Sequence, residues 1–252
     1  MSLHDFLLRD PACGALVEGA LAATAPLLED EDPAPVLAQL DAWSLELAGR
    51  MPLPWNFHAA LDQLNRFLFQ ELGFTGDRKT YDDPRNALLP AVLRRRKGLP
   101  IVLSLLWIDQ ARRLGFDAVG IGLPGHFVCG VNHDLGLLCF DPFHDGVPVG
   151  PERAAELVRR ATHGRTTFHP DMLRPTSDRA LLARLVRNLH TRFLQAEAWE
   201  EILWTSTHLI LLDPSDPDPW KARAMVHLQR GDPRSAEADL QEAAARSRRR
   251  EP

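Results

Sequence analysis

The sequence predicts an α+β fold, with helices at both ends and a short group of strands between them. Two stretches in the middle third, DAVGIGLPGHFVCGV and GLLCFDPFHDG, are rich in Val, Ile, Leu and Phe and are punctuated by Pro and Gly, which marks strands. The first and last thirds instead space their apolar residues at helical intervals. Near the C-terminus, Glu197AlaTrpGluGluIle aligns with Gly231AspProArgSerAla at an offset of 34 residues, which also sets Leu194 over Leu228. That offset indicates repeated helical hairpins.

A first helix is expected within Leu3 to Leu28, broken around Pro11 and Gly14. Ala34 to Gly49 follows, with Val36, Leu37, Leu40, Trp43, Leu45 and Leu47 on one broad face. Pro54 to Gly73 carries Phe57, Leu61, Leu64, Phe67, Leu68 and Leu72 in the same way, and Pro33, Pro35, Pro52 and Pro54 punctuate the boundaries. These helices form a cap over residues 1–80. Next, Asp83 and Pro84 suit a helix N-cap and first helical position, with Asn86 in the first turn, where a local hydrogen-bonding anchor is favoured over a ligand donor. Arg94 to Lys97 close a helix, complementing the negative end of its dipole. Gly98 and Pro100 open the next, an apolar run that stops at Gly115. The two strand stretches then complete a core over residues 81–166. His133 and Asp134 fall in the hairpin turn Val131 to Gly136, and His144 and Asp145 in a surface loop. Gly150 to Ala161 reads as an amphipathic helix, and Thr167 to Thr176 as a connector. From Asp178 the pattern is helical, interrupted at 213–219 and 231–233, which assigns 178–248 to about two helical repeats. Two are too few to stand alone, so they lean on the core.

Tyr81, Asp83, Pro84 and Asn86, then Arg95, Gly98, Pro100 and Ser104, then Gly122, Pro124, Gly125, His126 and Phe127, and finally Asp141, Pro142, Phe143 and Gly146 carry a resemblance. The chain resembles the transglutaminase-like superfamily, and within it a bacterial branch, invasion-regulator B-like, that joins a degenerate transglutaminase-like (papain-like) core to tetratricopeptide α-hairpins. The resemblance covers most of the chain. It implies a helix whose N-terminus carries a thiolate, and two adjacent strands that carry its base and the group orienting that base. In this sequence Pro100 stands at that helix N-terminus, where the nucleophile belongs.

A thiol triad needs a base His within about 3 Å of the nucleophile and a carboxylate or amide on the other ring nitrogen. His126 and Asp141 can supply these two parts, as a vestigial dyad. Two residues could act as displaced nucleophiles. Ser104 lies one turn beyond Pro100 on the same helical face, and Cys139 lies two positions before Asp141 on the same strand face. Core packing is the favoured reading for both. Cys129, three positions after His126, projects to the opposite face. Asn86, Pro100, Trp107 and Phe143 are assigned to binding in the same pocket. His126, His133, Asp134, Asp141, His144 and Asp145 crowd a short span, but without a metal-binding spacing, so no metal and no cofactor is assigned.

Composition narrows the function. The net charge is −5, and neither Arg94–Lys97 nor the terminal Arg246, Arg248, Arg249 and Arg250, read as a solvated, frayed end, is interleaved with aromatics, so nucleic-acid binding is not expected. No apolar run approaches the roughly 18 residues of a membrane span, and MSLHDFLLRD lacks the order of a signal peptide. Cys13, Cys129 and Cys139 form no paired framework, which fits the cytosol and buried small hydrophobes. With Pro100 in the nucleophile's place and helical repeats beside the core, the expected function is non-catalytic binding of a protein or peptide, a regulatory role being a special case of it. Trp199, Trp204 and Trp220 either line a groove or pack between helices. The alternative is an acyl transferase or amidase using His126 and Asp141 with Cys139, Ser104 or a water.

Overall fold

The structure, a computed structural model, describes residues 1–10, 14–28 and 32–250, with side chains to residue 248. Helices α1 (Leu3–Arg9) and α2 (Leu16–Thr24) open the chain. The expected break around Pro11, and Cys13 with it, lies outside the described residues, but Asp10 Oδ2 accepts the Ala15 N–H at 2.8 Å and so starts α2. Helix α3 (Ala34–Gly49) buries Leu40, Trp43 and Leu47, at intervals of three and four residues. Helix α4 (Phe57–Asn65) begins three residues after the expected Pro54, because Asn56 caps it by accepting the Ala59 N–H at 2.9 Å. It continues into a π-helical turn, Arg66–Glu71. The wider turn buries three consecutive large side chains, Phe67, Leu68 and Phe69.

The link to the core is tied by buried polar groups. Strands β1 (Thr75–Gly76) and β2 (Lys97–Gly98) pair in parallel across it. Asp83 caps a 3₁₀ turn over Pro84–Ala87, where the sequence suggests an α-helix; the turn closes at once because helix α5 (Leu89–Arg95) starts from Leu88. The α5 helix stops at Arg96, whose φ is 58°. Helix α6 (Pro100–Arg113) starts at Pro100 with its missing N–H at the first helical position, and Gly115 at φ 88° ends it. From Pro100 to Ile108 every residue of α6 is buried.

Strands β3 (Ala118–Leu123), β4 (His126–His133), β5 (Gly136–Asp141) and β6 (Val147–Pro148) form an antiparallel sheet in that order. The stretch read as one strand containing His126 is thus a hairpin. Pro124 and Gly125, with Gly125 at φ 70°, turn the chain so that Leu123 pairs with His126. Helix α6 covers one face of the sheet, where Phe127, Cys129, Val131 and Phe140 join the main core. Helix α7 (Pro151–Ala161) and the turn Pro170–Leu173 cover the other, over Ile121, Leu123, Val128 and Cys139.

The remaining helices are α8 (Asp178–Gln195), α9 (Trp199–Leu212), α10 (Pro217–Gln229) and α11 (Pro233–Arg250). Their boundaries repeat the sequence offset, since α8 and α10 end 34 residues apart, and α9 and α11 begin 34 apart. Helix α8 belongs to the main core through Leu181, Leu182, Leu185, Val186 and Leu189. The Trp residues pack between helices: Trp204 against Phe193 and His208, Trp199 against the Ile202 cluster, and Trp220 beneath Arg223 and Arg246. The basic end is no frayed tail. It continues α11, and Arg246 bonds the Pro214 carbonyl.

Candidate functional site

His126 is the first residue of β4 and Asp141 the last of β5, so the sheet brings two residues 15 apart in sequence to one end. His126 Nε2 lies 3.0 Å from Asp141 Oδ2. Asp141 is fully buried, and its Oδ1 accepts the Phe143 N–H at 3.1 Å. Burial alone would raise its carboxyl pKa, but the hydrogen bonds from His126 and His144 outweigh that and hold it below the usual carboxylate range.

The other ring nitrogen, His126 Nδ1, has no hydrogen-bond partner among the described residues. The imidazole borders a small cavity of about 80 Å³, also lined by Tyr81, Pro100, Ile101, Gly125, Arg184 and Asn188. A wider groove of about 550 Å³ shares Gly125, Arg184 and Asn188 and extends along α8 past Arg187 and Thr191. Arg184 donates to the carbonyls of Leu123 and His126 at 2.6 and 2.7 Å and has no carboxylate partner among the described residues. One guanidinium thus fixes the β3–β4 turn and charges the cleft.

Neither proposed nucleophile bonds the imidazole. Ser104 is fully buried, and its Oγ has no hydrogen-bond partner among the described residues. Cys139 packs with Val128, Val149 and Leu157 on the sheet face away from α6, where burial pushes its thiol up to about 11. Cys129 faces α6, its Sγ 3.6 Å from the Phe140 carbonyl, and burial raises its thiol pKa as well. Buried thiols of this kind carry almost no thiolate at neutral pH.

Of the residues assigned to binding, Pro100 and Phe143 stand at the site. The Phe143 ring lies edge-on to His126 and to Tyr81, with centroids at 5.9 and 6.0 Å. Trp107 is wholly inside the core, stacked on Phe140 at 5.3 Å with its Nε1 donating to Asn65 Oδ1 at 2.7 Å. Asn86 is likewise buried. Its Nδ2 donates to the Thr80 carbonyl at 2.6 Å, its Oδ1 accepts from Arg95 at 2.9 Å, and Arg95 reaches Asp77 at 3.1 Å. The sequence missed His144 at the site. A 3₁₀ turn over Pro142–His144, followed by Asp145 at φ 58° and Gly146 at φ 73°, brings its Nδ1 within 2.7 Å of Asp141 Oδ2. The spacing of three residues from Asp141, in a turn closed by Gly, is the signal that could have revealed it.

Residues 34–187 match the transglutaminase-like superfamily, and residues 187–251 match the tetratricopeptide repeat. The chain is 37% identical over 183 residues to a UPF0162 protein of Xylella fastidiosa, a match covering 70% of this chain and 64% of that protein, less than two thirds of its length. It is 32% identical to a UPF0162 protein of Pseudomonas aeruginosa over 95% of this chain and 86% of the relative. A shorter match, 40% identical over 68 residues, joins 27% of this chain to 11% of F-box only protein 21 of Homo sapiens. No solved structure matches the chain.

Proposed function

Given that the chain belongs to the transglutaminase-like superfamily and carries tetratricopeptide helices, we propose that it is a non-catalytic member that binds a protein or peptide partner in the cleft beside His126. The observation that carries this reading is the pairing at the old nucleophile position. Pro100 lies against the cavity that His126 borders, and neither Ser104 nor Cys139 is hydrogen-bonded to the ring. Covalent acyl transfer needs a nucleophile within hydrogen-bond reach of its base. What remains is the small cavity lined by the His126 imidazole, the Arg184 guanidinium and the Asn188 amide, the last two shared with the wider groove, which suits an extended chain with carbonyl or carboxylate groups. The groove borders α8, so the repeats and the core offer a partner one continuous surface.

Two measurements test this. A peptide library panned against the full chain should enrich sequences that bind wild type and lose at least tenfold in affinity to Asn188→Trp, which fills the groove from a half-buried position. In a Cys13→Ser background, a thiol reagent should titrate neither remaining cysteine in the native protein and both in denaturant. Turnover of amide or thioester substrates that disappears in His126→Ala would overturn the reading, as would enriched peptides that ignore Asn188→Trp.

A further inference from the structure

Asp141 meets two imidazoles with a single oxygen. Its ion pairs among the described residues are with His126 Nε2 at 3.0 Å and His144 Nδ1 at 2.7 Å, and no Arg or Lys is paired with it. A carboxylate that only orients His126 requires one of these contacts, and the second imidazole on the same oxygen is left over. Two imidazole nitrogens thus converge on one oxygen of a fully buried carboxylate.

The three donor atoms all lie within 4.8 Å of one another. An ion held at about 2.0–2.1 Å by each donor in tetrahedral geometry sets neighbouring donors roughly 3.3 Å apart. The two contacts to Asp141 Oδ2, at 3.0 and 2.7 Å, would open by about 0.3 and about 0.6 Å, and the two imidazole nitrogens, which lie within 4.8 Å of each other, would close by up to about 1.5 Å. The donors also sit on constrained backbone: His126 opens β4, Asp141 ends β5, and His144 is returned by Asp145 and Gly146 in left-handed conformations. Thr75 Oγ1, 2.9 Å from Asp145 Oδ1, pins that return.

We propose that His126 Nε2, Asp141 Oδ2 and His144 Nδ1 bind a divalent transition-metal ion of the zinc class, with water completing its coordination. Two imidazoles and one carboxylate suit a borderline ion. The set has no thiolate for a soft ion and too few oxygens for calcium or magnesium. Binding shifts each ring proton to the opposite nitrogen, His126 Nδ1 and His144 Nε2, neither of which has a partner among the described residues. The ion would clamp the β4 and β5 ends to the following turn, beneath the cleft. It requires no catalysis and stands or falls apart from the peptide reading.

The test is titration of the chelator-stripped full chain with Co²⁺ and Zn²⁺. One equivalent of Co²⁺ should give visible d–d bands, and Zn²⁺ should raise the melting temperature. His144→Ala, which keeps the His126–Asp141 contact, should weaken binding at least tenfold and abolish the melting shift. His227→Ala should change neither, although His227 lies near Asp232 and Asp239. Asp141→Asn should behave as His144→Ala does; where it fails to fold, His144→Ala decides alone because its side chain is partly exposed. Failure to bind one equivalent, or binding that His144→Ala leaves intact, overturns the site.

Discussion

Asn86 shows what a buried polar residue does at the edge of this site. It joins the Thr80 carbonyl to the Arg95 guanidinium, and its own carbonyl accepts the Leu99 N–H at 3.0 Å, one residue before Pro100 opens α6. Hydrogen bonds from Thr80 lead those that hold the neighbouring Asp77 carboxyl at about 2, so Arg95 faces a charged partner throughout the neutral range. Asn86→Ala removes one of the two hydrogen bonds on the Thr80 carbonyl, which keeps the Asp83 N–H at 3.1 Å, and takes the Asn86 partner from Arg95 Nη1. Urea denaturation should then show a loss of about 2–3 kcal/mol, with no change in the slope of the transition. His190 offers a prediction in pH. Burial, reinforced by the Arg187 charge, lowers its pKa to about 4, while its Nδ1 stays 2.8 Å from Thr205 Oγ1. The folded chain keeps this ring neutral between pH 4 and 6.5, whereas the unfolded chain protonates it there. Stability must therefore rise with pH across that window and fall on acidification, by on the order of 3 kcal/mol from this residue. Unfolding measured at pH 4.5 and 7 should show a smaller difference in His190→Gln than in wild type. Equal differences would mean that the folded ring takes up its proton at the ordinary pH.

At the scale of elements, the site depends on turns that a linear pattern expresses poorly. Gly146 has φ 73°, and a Cβ there would run into the Phe69 ring and stand 2.8 Å from Asn65 Oδ1. Gly136 is also left-handed, at φ 116°, but opens onto free space. Gly146→Ala should thus cost about 2–4 kcal/mol, and Gly136→Ala only about 1 kcal/mol, in paired chemical denaturation. Similar losses would show that Phe69 yields easily. Helix α6 was legible because Gly98, Pro100 and Gly115 act on their own backbone, and the helical repeat was legible because a period survives without knowledge of packing. The β3–β4 hairpin was hidden inside an apolar run, since Pro124 and Gly125 also suit a tight approach to a single strand. His144 looked like a loop residue because its return to Asp141 rests on a left-handed Asp145, a conformation that nothing local demands. The settings of Ser104 and Cys139 follow from which sheet face meets α6 and which meets α7, and that is decided only when the layers pack.

For the whole molecule, α8 is the element that makes two sequence regions one structure. Leu181, Leu182, Leu185, Val186 and Leu189 are each at most 1% exposed and lie in the same cluster as α2 and α6. From the same helix Arg184 holds the β3–β4 turn and Asn188 borders the cleft. Burying each of those five side chains is worth about 1.5–3 kcal/mol, so together they match the 5–15 kcal/mol by which a domain is usually stable. A cut at residue 177, between core and repeats, should therefore yield a chain with no cooperative thermal transition. Helices α10 and α11 stand differently. They contribute Ala222 and Val226 to a small cluster with Ile202, and Asp216 to an ion pair with Arg187 at 2.7 Å, all outside the main core. Removal of residues 214–252 should leave a cooperative transition at a melting temperature lower by several degrees, followed by circular dichroism. Cooperative unfolding of the 1–177 fragment would instead mean that the transglutaminase-like core closes without α8, and that the repeats dock onto a finished domain.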